Sequence, residues 1–164
     1  MKTYRLTTII VISLLIYLNG LQAQNNPKLD HPKSTSSSAE ESVRNWYNAF
    51  LKLDSTGFYN FWATDHPDFV YVADGEVNRK EDFLKRLVSI FRNIKEMTKA
   101  TILEGYPHKI SNNASSYTAR AIIEGIYSSG SSFSYSVTAT FVLIRINGQF
   151  KCVQCSAAHV PNPK

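Results

Sequence analysis

Few side chains in this sequence are placed to do chemistry. His159 is one of four histidines, and imidazole is the side chain whose ordinary pKa lies nearest neutrality. In the simplest register of the strand that carries it, His159 faces outward opposite Ser136, and a β-bulge is what would turn it inward. Cys152 and Cys155 spell Cys-x-x-Cys, yet on a regular strand they face opposite sides about 10 Å apart, beyond the ~7 Å Cα limit of a disulfide. Zinc would need two more ligands at motif spacing. Cys152 is therefore expected in the core and Cys155 on the outer face. Glu104 and His108 share a face with Ile102 and Tyr106, but four strand residues separate them by about 13 Å, so exposed edge-strand charges describe them better than an acid-base pair. Asp65, His66 and Asp68 cluster before a strand, where helix termination and loop solvation account for them. Asn113-Ala114-Ser115 fits a glycosylation acceptor on a turn. No cofactor and no metal are expected.

The other candidates are aromatic. Trp46, Phe50, Phe61, Trp62, Tyr71, Tyr117, Tyr127 and Tyr135 converge on the interior once the elements are drawn. Together with Gln154 and Ser156 they have the make-up of a concave apolar site with a few fixed polar groups. The expected ligand-binding residues are Trp46, Trp62, Tyr71, Tyr117, Tyr135, Gln154 and Ser156, and the expected ligand is a small hydrophobic or aromatic molecule. Catalytic residues are expected to be none, with a lyase, isomerase or hydrolase using His159 or Glu104 as acid-base the alternative.

Periodicity defines the elements that must position these residues. Ser38 and Glu41 form a capping box, followed by Val43, Trp46, Tyr47, Phe50 and Leu51 at helical spacing. Asp54 or Ser55 opens a second, shorter helix with Phe58, Phe61 and Trp62 on one side, closed by His66-Pro67. Phe69 to Val72 reads as a strand turned at Asp74-Gly75. Asn78 and Glu81 are expected to cap a third helix with a stripe of Phe83, Leu84, Leu87, Val88, Phe91, Ile94 and Met97. The period then changes to two, giving strands near 98–110, 115–127, 132–146 and 149–159, the last pair joined at Asn147-Gly148. They should form an antiparallel meander with one face under the helices. Phe133, Tyr135, Val137, Ala139, Phe141 and Leu143 lie on that face. A two-residue turn sets Leu143 opposite Cys152, Phe141 opposite Gln154 and Ala139 opposite Ser156, turning Gln154 and Ser156 inward. Small residues Ala119 and Ala121 in the matching row should leave space under the helices. On the outer face, Ile122, Ile126, Val142, Ile144, Ile146 and Val153 are more apolar than a solvated sheet needs, so a homodimer through that face is expected.

Location comes from the first residues. Lys2 and Arg5 precede the apolar run Leu6 to Leu18 and the small residue Ala23, the order of a secretory signal covering residues 1–23. The run is shorter than the ~20 apolar residues a bilayer span needs, so no stable membrane anchor is expected. Residues 24–38, rich in Ser, Asn and Pro, read as a flexible leader, 39–160 as one domain and 161–164 as a tail. The mature protein is expected to be secreted or periplasmic. Losing Lys2 and Arg5 takes the formal charge from +5 to +3. Lys80, Lys85, Arg86, Arg92, Lys95 and Lys99 cluster, but they share a helix with acids and mostly occupy its polar side as a solvated face, so no nucleic-acid partner is expected.

The run of helix, short helix, Phe69-Val-Tyr-Val-Ala-Asp-Gly-Glu, helix, and a meander ending in Asn147-Gly-Gln-Phe-Lys-Cys-Val-Gln-Cys-Ser resembles the nuclear-transport-factor-2-like superfamily, in particular its SnoaL-like branch, over about residues 40–160. The resemblance implies an α+β fold, a cone-shaped curved antiparallel sheet packed against three N-terminal helices, also described as cystatin-like. It implies a pocket inside that cone, used in different members for isomerisation, cyclisation, dehydration or binding. The isomerase-type members use a tyrosine on the first helix, a carboxylate base at the end of the first strand and a protonated acid on the penultimate strand. Here Trp46, Tyr71 or Val72, and Phe141, Val142 or Leu143 fall at those places, and none exchanges a proton near neutral pH. Gln154 and Ser156 stand where many SnoaL-like relatives carry two inward histidines.

Overall fold

The computed structural model describes residues 38–162; the signal and leader segments expected at residues 1–37 lie outside them, as does the end of the tail. Helix α1, Ala39–Leu51, starts at the capping box: the Glu41 amide donates to Ser38 Oγ at 3.0 Å and the Ser38 amide to Glu41 Oε2 at 3.3 Å. Its buried side is Val43, Tyr47, Ala49 and Phe50. Asp54 caps α2, Ser55–Asn60, by accepting from the Gly57 amide at 2.9 Å. Strands β1, Val70–Ala73, and β2, Glu76–Asn78, meet at Asp74-Gly75, both with positive φ, 53° and 87°. That is the conformation a tight two-residue hairpin requires, and it is why Asp and Gly stand there.

Helix α3, Lys80–Asn93, differs from expectation at both ends. Arg79 is its N-cap, without a side-chain cap, while Asn78 is buried and donates to the Glu76 carbonyl at 3.3 Å. The helix stops at Asn93. Ile94 and Met97, read above as the end of its apolar stripe, already belong to β3, Ile94–Lys109. The misleading spacing has a cause. Bulges between Ile94 and Glu96 and between Met97 and Lys99 each insert a residue, so Ile94, Met97 and Ala100 share one face of a strand at a spacing that imitates a helix.

Three long strands follow, β4 Ala114–Tyr127, β5 Ser132–Ile146 and β6 Gln149–Pro161. The six-stranded sheet has the order β2-β1-β6-β5-β4-β3. β3 to β6 form the expected antiparallel meander, but β1 lies parallel to β6, with Val72 opposite Ser156 and Ala73 opposite Ala157. The sheet is therefore mixed. α1 packs on β3, β4 and β6. Ala119, Ala121 and Ala139 are buried beneath the helices. Small side chains there let a helix approach the sheet, and they do not leave the space expected of them.

One irregularity governs the inner face. Leu143 pairs with Cys152 and Val142 with Gln154, so Val153 is left over in a bulge. Beyond it every facing is reversed relative to a plain hairpin register: Phe141 is opposite Cys155, Thr140 opposite Ser156, Ala139 opposite Ala157 and Val137 opposite His159. Gln154 and Ser156 are thus exposed on the outer face, and Cys155 is buried, 4% exposed, correcting the sequence expectation for all three. The physical reason is the cost of the alternative. An unbulged strand would push an amide and a hydroxyl into an aromatic core with no partners for them, about 1–3 kcal/mol each, while expelling a thiol. Val153 itself is buried, so it does not contribute to the outer apolar patch.

Candidate functional site

A cavity of about 340 Å³ lies between the helices and the inner face of the sheet. Its inner wall is aromatic: Trp46 and Tyr47 from α1, Phe58 from α2, Trp62 from the following turn, Tyr71 from β1 and Phe83 from α3. These rings brace one another. Trp46 meets Trp62 edge to face at 5.5 Å between centroids, and Trp62 meets Tyr71 in the same way at 5.5 Å. Such pairs fix ring orientation beyond what burial alone does. Burial raises the Tyr47 and Tyr71 hydroxyls above their ordinary pKa, so both stay uncharged.

The rest of the lining is largely apolar, with Leu87, Ile90, Ile94, Ile123 and Val137, and holds a few polar groups. His159 Nδ1 lies 3.0 and 3.2 Å from the two carboxylate oxygens of Asp74, and the His159 backbone amide also donates to Asp74 Oδ1, at 2.8 Å. The parallel pairing of β1 with β6 creates this contact, since Ala73 opposite Ala157 leaves Asp74 beside the strand's next inward residue, His159. Arg86 of α3 reaches across: its guanidinium lies 3.9 Å from Asp74 and 3.3 Å from Glu76, with Cζ 5.9 Å from the Tyr71 ring centroid. Tyr127 and Tyr135 touch through their hydroxyls at 3.3 Å, and the Tyr135 ring stands edge-on to His159 at 6.3 Å. The hydrogen bond to Tyr135, then burial, pushes the Tyr127 hydroxyl up to about 12. Asn93 donates to Ser89 at 3.1 Å at the same rim.

A carboxylate on Nδ1 keeps a proton on that nitrogen, so that in the neutral ring Nε2 is the acceptor or base. Among the described residues Nε2 has no hydrogen-bond partner. The cavity therefore joins an aromatic binding surface to one imidazole oriented by a carboxylate.

Of the expected site residues, Trp46, Trp62, Tyr71 and Tyr135 line this cavity, whereas Tyr117, Gln154 and Ser156 do not. Tyr117 is fully buried elsewhere in the core, its hydroxyl over Gly105, where any Cβ would collide with it. Its position in the inner row is as read, but the ring runs along the sheet toward β3. Gln154 and Ser156 are removed by the bulge. Glu104, the other acid-base candidate, is on the outer face as well: a bulge between Ile102 and Glu104 separates it from Ile102, and it pairs with Arg120 and accepts from Tyr106 at 2.9 Å. Cys152 and Cys155 are free and buried, and burial raises both thiols. Asp65 pairs with Lys80. Among the described residues no three metal-ligating side chains converge.

Asp74 and Arg86 escaped the sequence reading. In the sequence Asp74 reads as a turn residue and Arg86 as part of a solvated helix face. The available signal was the carboxylate directly after a short strand, but its partner became visible only with the parallel pairing and the bulge.

No family model matches this chain, and no curated protein does. Solved structures match over about three quarters of it. An NTF2-like protein of unknown function in nutrient uptake from Rhodospirillum rubrum is 17% identical, with 76% of this chain and 99% of that one covered and a TM-score of 0.62. A ketosteroid isomerase-like protein from Erwinia carotovora atroseptica is 15% identical, with 76% and 94% covered and a TM-score of 0.60. A nuclear transport factor 2 superfamily protein from Salmonella enterica Typhimurium is 12% identical, with 76% and 88% covered and a TM-score of 0.62. An uncharacterised protein from Caulobacter vibrioides described as cystatin-like is 14% identical, with 76% and 87% covered and a TM-score of 0.59. The chain has the α+β, nuclear-transport-factor-2-like fold. At such identities the likeness defines the fold and leaves activity to the site.

Proposed function

We propose that this protein is an exported small-molecule-binding domain of the SnoaL-like kind, which holds a small hydrophobic or aromatic molecule in the cavity between its helices and sheet. The observation that carries this reading is the cavity itself: about 340 Å³ lined by braced aromatic rings and aliphatic side chains, with a few polar groups among them. Ligand sites generally have this size and make-up. A thermal-shift screen of small aromatic and alicyclic compounds tests it. Hits that lose their shift when Trp62 is replaced by Ala in a variant that still folds support the reading, and a library with no hit sinks it. Export accompanies the proposal, on the order of charged, apolar and small residues in 1–23. Mass spectrometry of the native protein should find a chain beginning near Gln24, not one retaining Met1. A homodimer through the outer sheet face belongs to the same proposal.

A second reading, an acid-base enzyme, is favoured by one arrangement: the Asp74 carboxylate on His159 Nδ1 at the edge of the cavity. Asp74 directly follows β1, close to where the isomerase-type resemblance places a base, and one of the structurally similar proteins is called ketosteroid isomerase-like. Here the carboxylate is engaged by the imidazole, so His159 Nε2 is the group that would move a proton. Turnover of any screening hit, abolished by His159→Ala with binding retained, would establish the enzyme.

A further inference from the structure

The polar rim carries a hydrogen-bonding pattern that selects among aromatic ligands. With Nδ1 held by Asp74, the nitrogen that His159 leaves for a bound molecule is Nε2, an acceptor in the neutral ring. The Tyr127 and Tyr135 hydroxyls, 3.3 Å apart, hold two hydrogens and use one between them, so one O–H remains to donate outward. Acceptor and donor sit on neighbouring rings, the Tyr135 and His159 centroids being 6.3 Å apart. The rim leaves no cation free: Arg86 lies against both Asp74 and Glu76.

Resting on the binding reading above, we infer that the cavity takes an uncharged hydroxylated aromatic, a phenol, whose hydroxyl donates to His159 Nε2 and accepts from the Tyr127–Tyr135 pair while its ring lies against Trp46, Trp62 and Tyr71. A hydroxyl is both donor and acceptor and matches both groups at once. An ether lacks the donor. A carboxylate lacks it too and would enter beside Asp74, where a like charge repels it. Each hydrogen bond that cannot form leaves a desolvated protein group unpaired, which is the strong form of discrimination.

Calorimetric titration of the full-length protein with a naphthol, its methyl ether and the corresponding naphthoate tests this. The naphthol should bind roughly tenfold more tightly than either competitor, the ratio that one hydrogen bond supplies. His159→Leu should close the gap between naphthol and ether, because neither then meets an acceptor that needs a donor. Tyr135→Phe should narrow the same gap, and serves if the first variant does not fold. Equal binding of naphthol and ether by the wild type would overturn hydroxyl recognition and leave the aromatic cavity standing, as would a preference for the naphthoate. Failure of all three probes to bind would overturn the cavity reading together with this one.

Discussion

Where the free volume lies can be tested with two substitutions on the inner face. Val137 of β5 lines the cavity and is 4% exposed; Ala119 of β4 is fully buried and is not part of the cavity wall. Val137→Phe adds four carbons that can extend into empty space. At about 0.8 kcal/mol per buried carbon the gain is bounded near 3 kcal/mol, and fixing the ring returns about 1 kcal/mol of it. The variant should be as stable as wild type or up to about 2 kcal/mol more so. Ala119→Phe puts a ring where the packing is complete, and overpacking of that kind costs about 1–3 kcal/mol or more. At about 4 °C per kcal/mol for a domain of this size, the two melting temperatures should differ by about 4–20 °C, with Val137→Phe higher. The same ring at 137 occupies ligand volume, so the naphthol should bind at least about tenfold more weakly, the effect of losing little more than 1.4 kcal/mol of contact. Thermal melts with and without the probe read both quantities. The reverse order of stabilities, or full naphthol affinity in Val137→Phe, would refute this placement of the cavity.

Neither cysteine should react with an aromatic disulfide reagent in the native protein, because both thiols are buried and burial raises their pKa; one thiol titrating at the rate of the unfolded chain would contradict the bulged register. Glu104 is held below its ordinary pKa, chiefly by the Arg120 hydrogen bond and then by Tyr106. A carboxylate depressed in the folded state contributes stability above its unfolded pKa and loses it as pH falls through the folded value, so Glu104→Gln should flatten the acid side of the stability profile below the ordinary glutamate pKa. Urea unfolding across that range checks it, and an unchanged profile would show the ion pair to be without consequence. Val142→Lys with Ile144→Lys should give a soluble monomer that keeps the fold, since both residues lie on the outer face opposite the helices. Light scattering decides, and a wild-type monomer at high micromolar concentration would remove the dimer.

The legible part of the fold was what local physics dictates. The Ser38–Glu41 cap, the Asp74-Gly75 and Asn147-Gly148 hairpins and the inward row of β5 follow from hydrogen-bonding side chains, positive-φ residues and period-two alternation, all of which act within a few residues. The helix-to-strand change at Asn93 was misplaced because two bulges gave a strand the spacing of a helix. The parallel pairing of β1 with β6 joins segments more than eighty residues apart, and no local pattern encodes it.

The site was half legible for the same reason. Trp46, Trp62, Tyr71 and Tyr135 come from apolar faces that any register would bury, so their types and periods were sufficient to place them near the cavity. His159 depends on parity. Counting from the Asn147-Gly148 turn, one unpaired residue decides whether His159 meets solvent or Asp74, and that residue is Val153. A valine carries no bulge signature of its own. What favours the bulge is the energy of everything beyond it, since the shifted register buries Val153, Cys155 and half of Ala157 while returning Gln154 and Ser156 to water. The hydrophobic sorting that completes the core thus also delivers the imidazole to the carboxylate. Deleting Val153 tests the count: Cys152 then precedes Gln154 on a strand with no left-over residue, the pairings from Val142–Gln154 to Val137–His159 are kept, and the Asp74–His159 contact with its recognition of the naphthol hydroxyl should survive in any variant that still folds.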